Sequence, residues 1–163
     1  MSFQFDPNLI LNTSIGFLFA LLLKFLLDLK LAIYAVKFLH FLPVRTLFRS
    51  NPPEIKGEWQ QSWFVKSSTT FDTDSSRQSA ARMRQLGSYC YSEFHSGDDT
   101  YVLFGKLDRD QFVGEWHDLN DSLGYSGSFH LIVKSGKKME GKWIGNSKTT
   151  NEVKSGDWQW VKK

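Results

Sequence analysis

Apolar and polar residues are distributed along this chain in two different ways. From Ile10 to Val44 the run ILNTSIGFLFALLLKFLLDLKLAIYAVKFLHFLPV carries only five side chains able to hold charge: Lys24, Asp28, Lys30, Lys37 and His40. A bilayer core about 30 Å thick needs roughly 20 predominantly apolar residues in a helix. Leu9–Leu27 meets that length with one interruption, Lys24, and predicts a membrane-spanning helix. Leu31–Val44 is shorter and wetter, and predicts an amphipathic stalk that continues it. A soluble or surface-lying amphipathic helix is the alternative. A two-span hairpin would need a turn at Asp28–Lys30 and a second limb too short to cross. No small-residue cleavage site closes the run, so a retained anchor is expected rather than a removable signal peptide.

After Phe48–Pro53 the period changes. Two prolines following Asn51 end any helix and impose an extended entry. In Ile55–Val65 the odd positions are Ile, Gly, Trp, Gln, Trp and Val, against largely polar even positions, which is a strand with one apolar face. Lys66–Ser76 is a polar loop. Ser75–Gln85 then forms a short helix rich in arginine, or its arginines solvate a loop or extend the next strand. Further strands are predicted over Met83–Phe94, Thr100–Leu107, Gln111–Asp118, Gly124–Val133, Lys138–Gly145 and Glu152–Val161, separated by short turns. The fold class is therefore mainly β. An N-terminal transmembrane helix with an amphipathic stalk (1–49) precedes a small antiparallel meander β-barrel of about seven to eight strands (50–163).

One repeat runs through the second part. Gly-x-Trp occurs at Gly57–Trp59, Gly114–Trp116, Gly141–Trp143 and Gly156–Trp158. Residues two apart in a strand share a face, so each glycine leaves a gap beside a large ring. A ring from a neighbouring strand can occupy that gap, and the glycine permits the coiling that closes a small barrel. The rings are barrel core, or some of them line a pocket.

Charge narrows the partners. Residues 1–49 hold five Lys/Arg against two Asp/Glu, and the rest holds fifteen of each. The basic pI of about 8.9 thus belongs to the anchor, and duplex nucleic acid is not an expected partner. Arg45 and Arg49 follow the apolar run, which by the positive-inside rule puts the N-terminus outside and the second domain in the cytoplasm. A single cysteine, Cys90, fits a reducing compartment.

Catalytic signatures are missing: no P-loop, no nucleotide-binding glycine loop, no nucleophile elbow and no zinc-type spacing. His95, His117 and His130 fall on separate elements, and Cys90 has no activating histidine beside it. Neither catalytic residue, metal nor cofactor is expected, and the chain reads as a non-enzyme. For ligand binding, rings stack on bases and arginine meets phosphate with a planar fork of donors. Arg77, Arg82 and Arg84 lead into Tyr89 and Tyr91, and with Trp63 they form the candidate binding set. Lys24, Asp28, Lys30 and Lys37 form the candidate membrane and oligomerisation set, because ionisable groups at membrane depth are costly unless paired.

The second part reads I-x-G-x-W (Ile55–Trp59), F-x-G-E-W-x-D (Phe112–Asp118), Y-x-G-x-F-x-L (Tyr125–Leu131), M-x-G-K-W-I-G (Met139–Gly145) and S-G-D-W-x-W-x-K (Ser155–Lys162). With its N-terminal apolar segment, the chain resembles the transmembrane β-barrel effectors of bacterial antiphage defence, the β-strand-rich membrane effectors of CBASS operons. It is also similar in layout to the membrane receptors of cyclic tetra-adenylate found with type III CRISPR systems. The resemblance implies a bacterial inner-membrane protein whose barrel binds a cyclic di-, tri- or tetranucleotide. Binding would drive homo-oligomerisation and disruption of the bilayer. The chain departs from the first family in having one clear span where two are typical. A constitutive lipid or hydrophobe carrier and a scaffold barrel are the rival readings.

Overall fold

The computed structural model describes residues 7–28, 31–44, 52–64, 77–121, 124–146 and 152–163, with backbone alone for 7–11 and 25–28. The chain divides into two compact units, Met1–Tyr34 and Ala35–Lys163. In the first, helix α1 runs Pro7–Asp28, and its described side chains, 12–24, are all exposed. They include Ile15, Phe17, Leu18 and Phe19. No helix among the described residues is long and apolar enough to cross a membrane; the side chains of 7–11 and 25–28, at both ends of the span expected over Leu9–Leu27, lie outside them. A second helix, α2 (Leu31–Leu39), has its last five residues in the second unit.

The second unit is a closed barrel of eight antiparallel strands in sequence order. They are β1 (Gly57–Trp63), β2 (Gln78–Leu86), β3 (Tyr89–Ser96), β4 (Asp99–Asp108), β5 (Gln111–Asp118), β6 (Ser126–Ser135), β7 (Lys138–Asn146) and β8 (Val153–Lys162). Closure comes from β1 pairing with β8, with Trp63 opposite Trp158 and Gln60 opposite Val161. That pairing satisfies the backbone groups an open sheet would leave at its edges.

The expected alternation holds, with two corrections. Residues 78–86 are a strand and not the arginine-rich helix that Ser75–Gln85 offered. Ser79, Ala81, Met83 and Gln85 point inward and are buried, while the residues between them face out. Small and apolar side chains recurring every second residue suit a half-buried strand and give a helix no apolar stripe. The single strand expected over Met83–Phe94 is likewise two, split at Gly87–Ser88, where Gly87 takes φ 61°. That hairpin makes the strand count eight.

The two ends of the barrel differ. Segment 52–56 crosses the end where β2 turns into β3, and Ile55 there is fully buried. The Ile55 amide donates to Gln85 Oε1 at 2.9 Å, and Gln85 Nε2 donates to the carbonyls of Pro53 and Gly87, both at 3.0 Å. Trp59 Nε1 donates to the Ile55 carbonyl at 2.7 Å. Ile55 thus plugs this end, held by the bonds of Gln85 and Trp59. The opposite end receives the connections β1–β2, β3–β4, β5–β6 and β7–β8.

Candidate ligand site at the barrel mouth

The interior at that opposite end is built from rings. Trp143 meets Trp116 edge-on at 6.2 Å between centroids, and Trp116 meets Tyr101 at 5.9 Å. Tyr101 stacks on Phe94 at 5.5 Å, and Phe94 contacts Trp63 and Trp158. Glycines make room for them. A Cβ on Gly156 would lie 2.8 Å from Trp143 Nε1, and one on Gly145 would strike the Trp116 ring. Of the four Gly-x-Trp glycines only Gly156 makes room for a ring of the adjacent strand; Cβ atoms on Gly114 and Gly141 would meet neighbouring backbone and one on Gly57 the Lys162 side chain, so the use expected from the spacing holds at one position.

Among the described residues four buried N–H donors of the barrel have no partner: Gln61 Nε2, Trp116 Nε1, Trp143 Nε1 and Trp160 Nε1, the last opposite Met139 beside the β6–β7 turn. Gln61 and Trp160 are fully buried. The other end of Gln61 is used, since its Oε1 accepts the Trp158 indole N–H. A buried donor left unmade costs about 1–3 kcal/mol, so those of Trp116 and Trp143, whose rings meet edge-on, mark a place suited to acceptors.

The electrostatics of the wall set the kind of acceptor. No lysine or arginine is among the buried residues described, and the one buried carboxylate is Asp118. Its Oδ1 is occupied, accepting the backbone N–H groups of Asn120 (2.9 Å) and Asp121 (3.2 Å) to hold the start of the β5–β6 connection. Burial, with the carboxylates of Asp99 and Asp118 nearby, drives the Tyr101 phenol far above its ordinary range and keeps it protonated. The unpartnered donors are therefore neutral indole and amide groups beside flat rings. They suit a carbonyl oxygen or ring nitrogen better than a naked phosphate, which calls for charge-assisted bonds. Cys90 is fully buried and its thiol is pushed up by that burial, so it stays inert. Among the described residues no group of three or more His, Cys, Asp or Glu side chains is arranged to hold a metal ion.

The residues singled out from sequence fall in three places. Trp63 points inward and belongs to the ring system, 8% exposed. Arg82, Arg84, Tyr89 and Tyr91 come together on the outer wall. Arg82 pairs with Glu58 across β1–β2 at 3.5 Å, and Arg84 lies over the Tyr91 ring at 5.7 Å. Tyr89 stacks on Phe104 at 6.1 Å. Arg77 immediately precedes β2, at the mouth end. Lys24 is exposed on α1, while Lys30 and the side chain of Asp28 lie outside the described residues. Lys37 sits on the barrel wall, 2.7 Å from Glu93 Oε1 and over the Tyr91 ring at 5.4 Å.

Trp116 and Trp143 had been visible as repeat members, without a sign of which nitrogen would go unpaired. Gln61 was missed as a site residue, although a glutamine in the inward register of β1 was the available signal. No family profile matches the chain, and neither does any curated protein or solved structure.

Proposed function

We propose that this chain is a membrane-anchored receptor whose barrel takes a compact, ring-bearing ligand at the end opposite Ile55. The observation that carries the reading is the pair of unpartnered N–H donors on Trp116 and Trp143. Nucleobases present both a π-face for the rings and acceptors for the neutral donors, and a cyclic oligonucleotide is the ligand class that the sequence resemblance points to. In this reading α1 holds the chain to the bacterial inner membrane, with the barrel on the cytoplasmic side. Its twenty-two residues and its outward-facing Ile15, Phe17, Leu18 and Phe19 support that role. Ligand binding then clusters chains, and the clustered N-terminal segments breach the bilayer.

A carrier of long apolar ligands is less well supported. Trp59, Met83, Leu103, Leu107, Leu131 and Met139 already fill the barrel axis, each 2% exposed or less. Calorimetry of the full-length chain in detergent against cyclic di-, tri- and tetranucleotides tests the proposal. Saturable heat with one of them, accompanied by a change in indole fluorescence, is expected. Heat with none of them overturns it, and a copurified lipid seen by native mass spectrometry would favour the carrier instead.

A further inference from the structure

The seams of the barrel are not equally closed. Strands β3 and β4 pair at eight positions, from Tyr89–Lys106 to Ser96–Asp99. Strands β2 and β3 pair at three, Arg84–Tyr91, Gln85–Cys90 and Leu86–Tyr89, and the ladder goes no further toward the mouth. Serine side chains take over there. Ser92 Oγ donates to the Arg82 carbonyl at 3.2 Å, and the His95 amide donates to Ser79 Oγ at 3.1 Å. The mouth half of β3, 92–96, is thus held by a full ladder on one side and by two hydroxyls on the other. Segments with few backbone bonds are the ones that open locally at least cost.

The end of α2 lies over the place where that ladder stops. Lys37 Nζ is 2.7 Å from Glu93 Oε1 and over the Tyr91 ring, both on β3, and Arg84 of β2 comes within 3.9 Å of the same Glu93 oxygen. Tyr91 and Val102 face outward on β3 and β4, yet they are only 1% and 2% exposed, and Val36 of α2 is 2% exposed. The contact is therefore packed as well as charged. Strand β3 works on its other face too. Phe94, next to Glu93, stands in the mouth against Trp63, Tyr101 and Trp158. Successive side chains of a strand point to opposite faces, so this weakly paired stretch carries the α2 contact outside and a mouth ring inside.

We infer that α2 is a releasable strap over the β2–β3 seam, and that β3 ties its docking to the packing of the mouth. A group that displaces Phe94 on the inner side shifts Glu93 on the outer side and loosens Lys37. The coupling stands on the barrel alone; that a bound ligand works the strap rests on the function proposed above. Hydrogen exchange of the full-length chain in detergent at neutral pH tests the coupling from both ends. Lys37→Ala should speed exchange of the 92–96 amides several-fold and leave those of β6 unchanged, while Lys37→Arg, which keeps the charge, should behave as the parent. Phe94→Leu should deprotect the 36–39 amides, whereas Phe129→Leu, in the same ring system but on β6, should not. Unchanged 92–96 amides in Lys37→Ala overturn the inference, as does a rise shared equally by β6 or equal deprotection of 36–39 by the two Phe→Leu variants. If Phe94→Leu does not fold, the Lys37 variants decide. Coupling is reciprocal, so a ligand that releases the strap must bind Lys37→Ala more tightly than the parent. Calorimetry with cyclic di-, tri- and tetranucleotides reads this. Equal or weaker affinity removes the ligand from the strap, and heat with none of them removes the proposed function while the exchange results still decide the coupling.

Discussion

Trp158 donates its indole N–H to the Oε1 of Gln61, joining β8 to β1 inside the barrel across 97 residues of sequence. The bond spans the seam where the sheet closes, and both partners are buried. Gln61→Leu removes the acceptor and strands the Trp158 donor, so it should destabilise the barrel by about 1–2 kcal/mol in urea melts. Adding Trp158→Phe removes the stranded donor as well and should recover part of that loss, giving a non-additive double-mutant cycle.

The reverse logic applies to Trp143 and Trp116, whose indole nitrogens have no partner among the described residues. Trp143→Phe keeps a ring and strands no partner. Its stability should therefore stay within about 1 kcal/mol of the parent. If the donor serves a ligand, affinity should still fall by about tenfold, read by calorimetry with whichever cyclic nucleotide binds. A Trp143→Phe chain that binds as tightly as the parent would remove this nitrogen from the site.

Glycine positions should separate just as sharply. A Cβ on Gly156 would press on Trp143 Nε1 and on the Phe64 carbonyl, where the chain leaving β1 pairs with Asp157. Gly136, in the β6–β7 turn, has nothing within 4 Å of a built Cβ. Gly156→Ala should thus cost about 2 kcal/mol or more by overpacking a filled interior. Gly136→Ala should stay within about 0.5 kcal/mol. Thermal or urea melts of the pair check both values.

This contrast also shows what could be read before any coordinates. The period of two located six of the strands to within a few residues, since alternation is a local property. The Gly-x-Trp spacing marked tightly packed glycines, of which Gly156 alone makes room for a ring. What escaped depended on partners. Ser75–Gln85 was open to a helical reading because arginine and alanine favour helices, and only pairing with β1 and β3 makes 78–86 a strand. Tyr89 and Tyr91 were correctly placed on one face, but which face lies inside is decided by barrel closure. Small Cys90 and Ser92 take the interior, and the larger Tyr91 is buried outside, beneath Lys37. Gln61 was legible as a polar residue in an apolar register, whereas the empty valence on its nitrogen depends on where Trp158 arrives from.

Docking of α2 on the wall should hold only within a window of pH. Burial raises the Glu93 carboxyl, but the hydrogen bonds from Lys37 and Tyr91 and the charges of Lys37 and Arg84 outweigh it, and the net shift is downward. The Lys37 ammonium is raised, chiefly by its hydrogen bond to Glu93 and then by that to Tyr91. The Tyr91 phenol is raised as well, first by burial and then by its bond to Glu93. A depressed carboxyl contributes stability above its unfolded value and loses it as pH falls through the folded one. A raised ammonium or phenol contributes below its unfolded value and loses it as pH rises through the folded one. The contact should therefore be intact from about pH 5 to pH 10 and loosen on either side. Because the groups are about one-third exposed, solvent screens them and the effect should be local rather than global. Hydrogen exchange of the 36–39 amides across pH, corrected for intrinsic rates, should show protection falling at both limits. Glu93→Gln should flatten the acid limb, since glutamine has no proton to gain there, and should weaken docking at neutral pH by removing the charge that holds Lys37. An acid limb that persists in Glu93→Gln would assign the low-pH loosening to a different group.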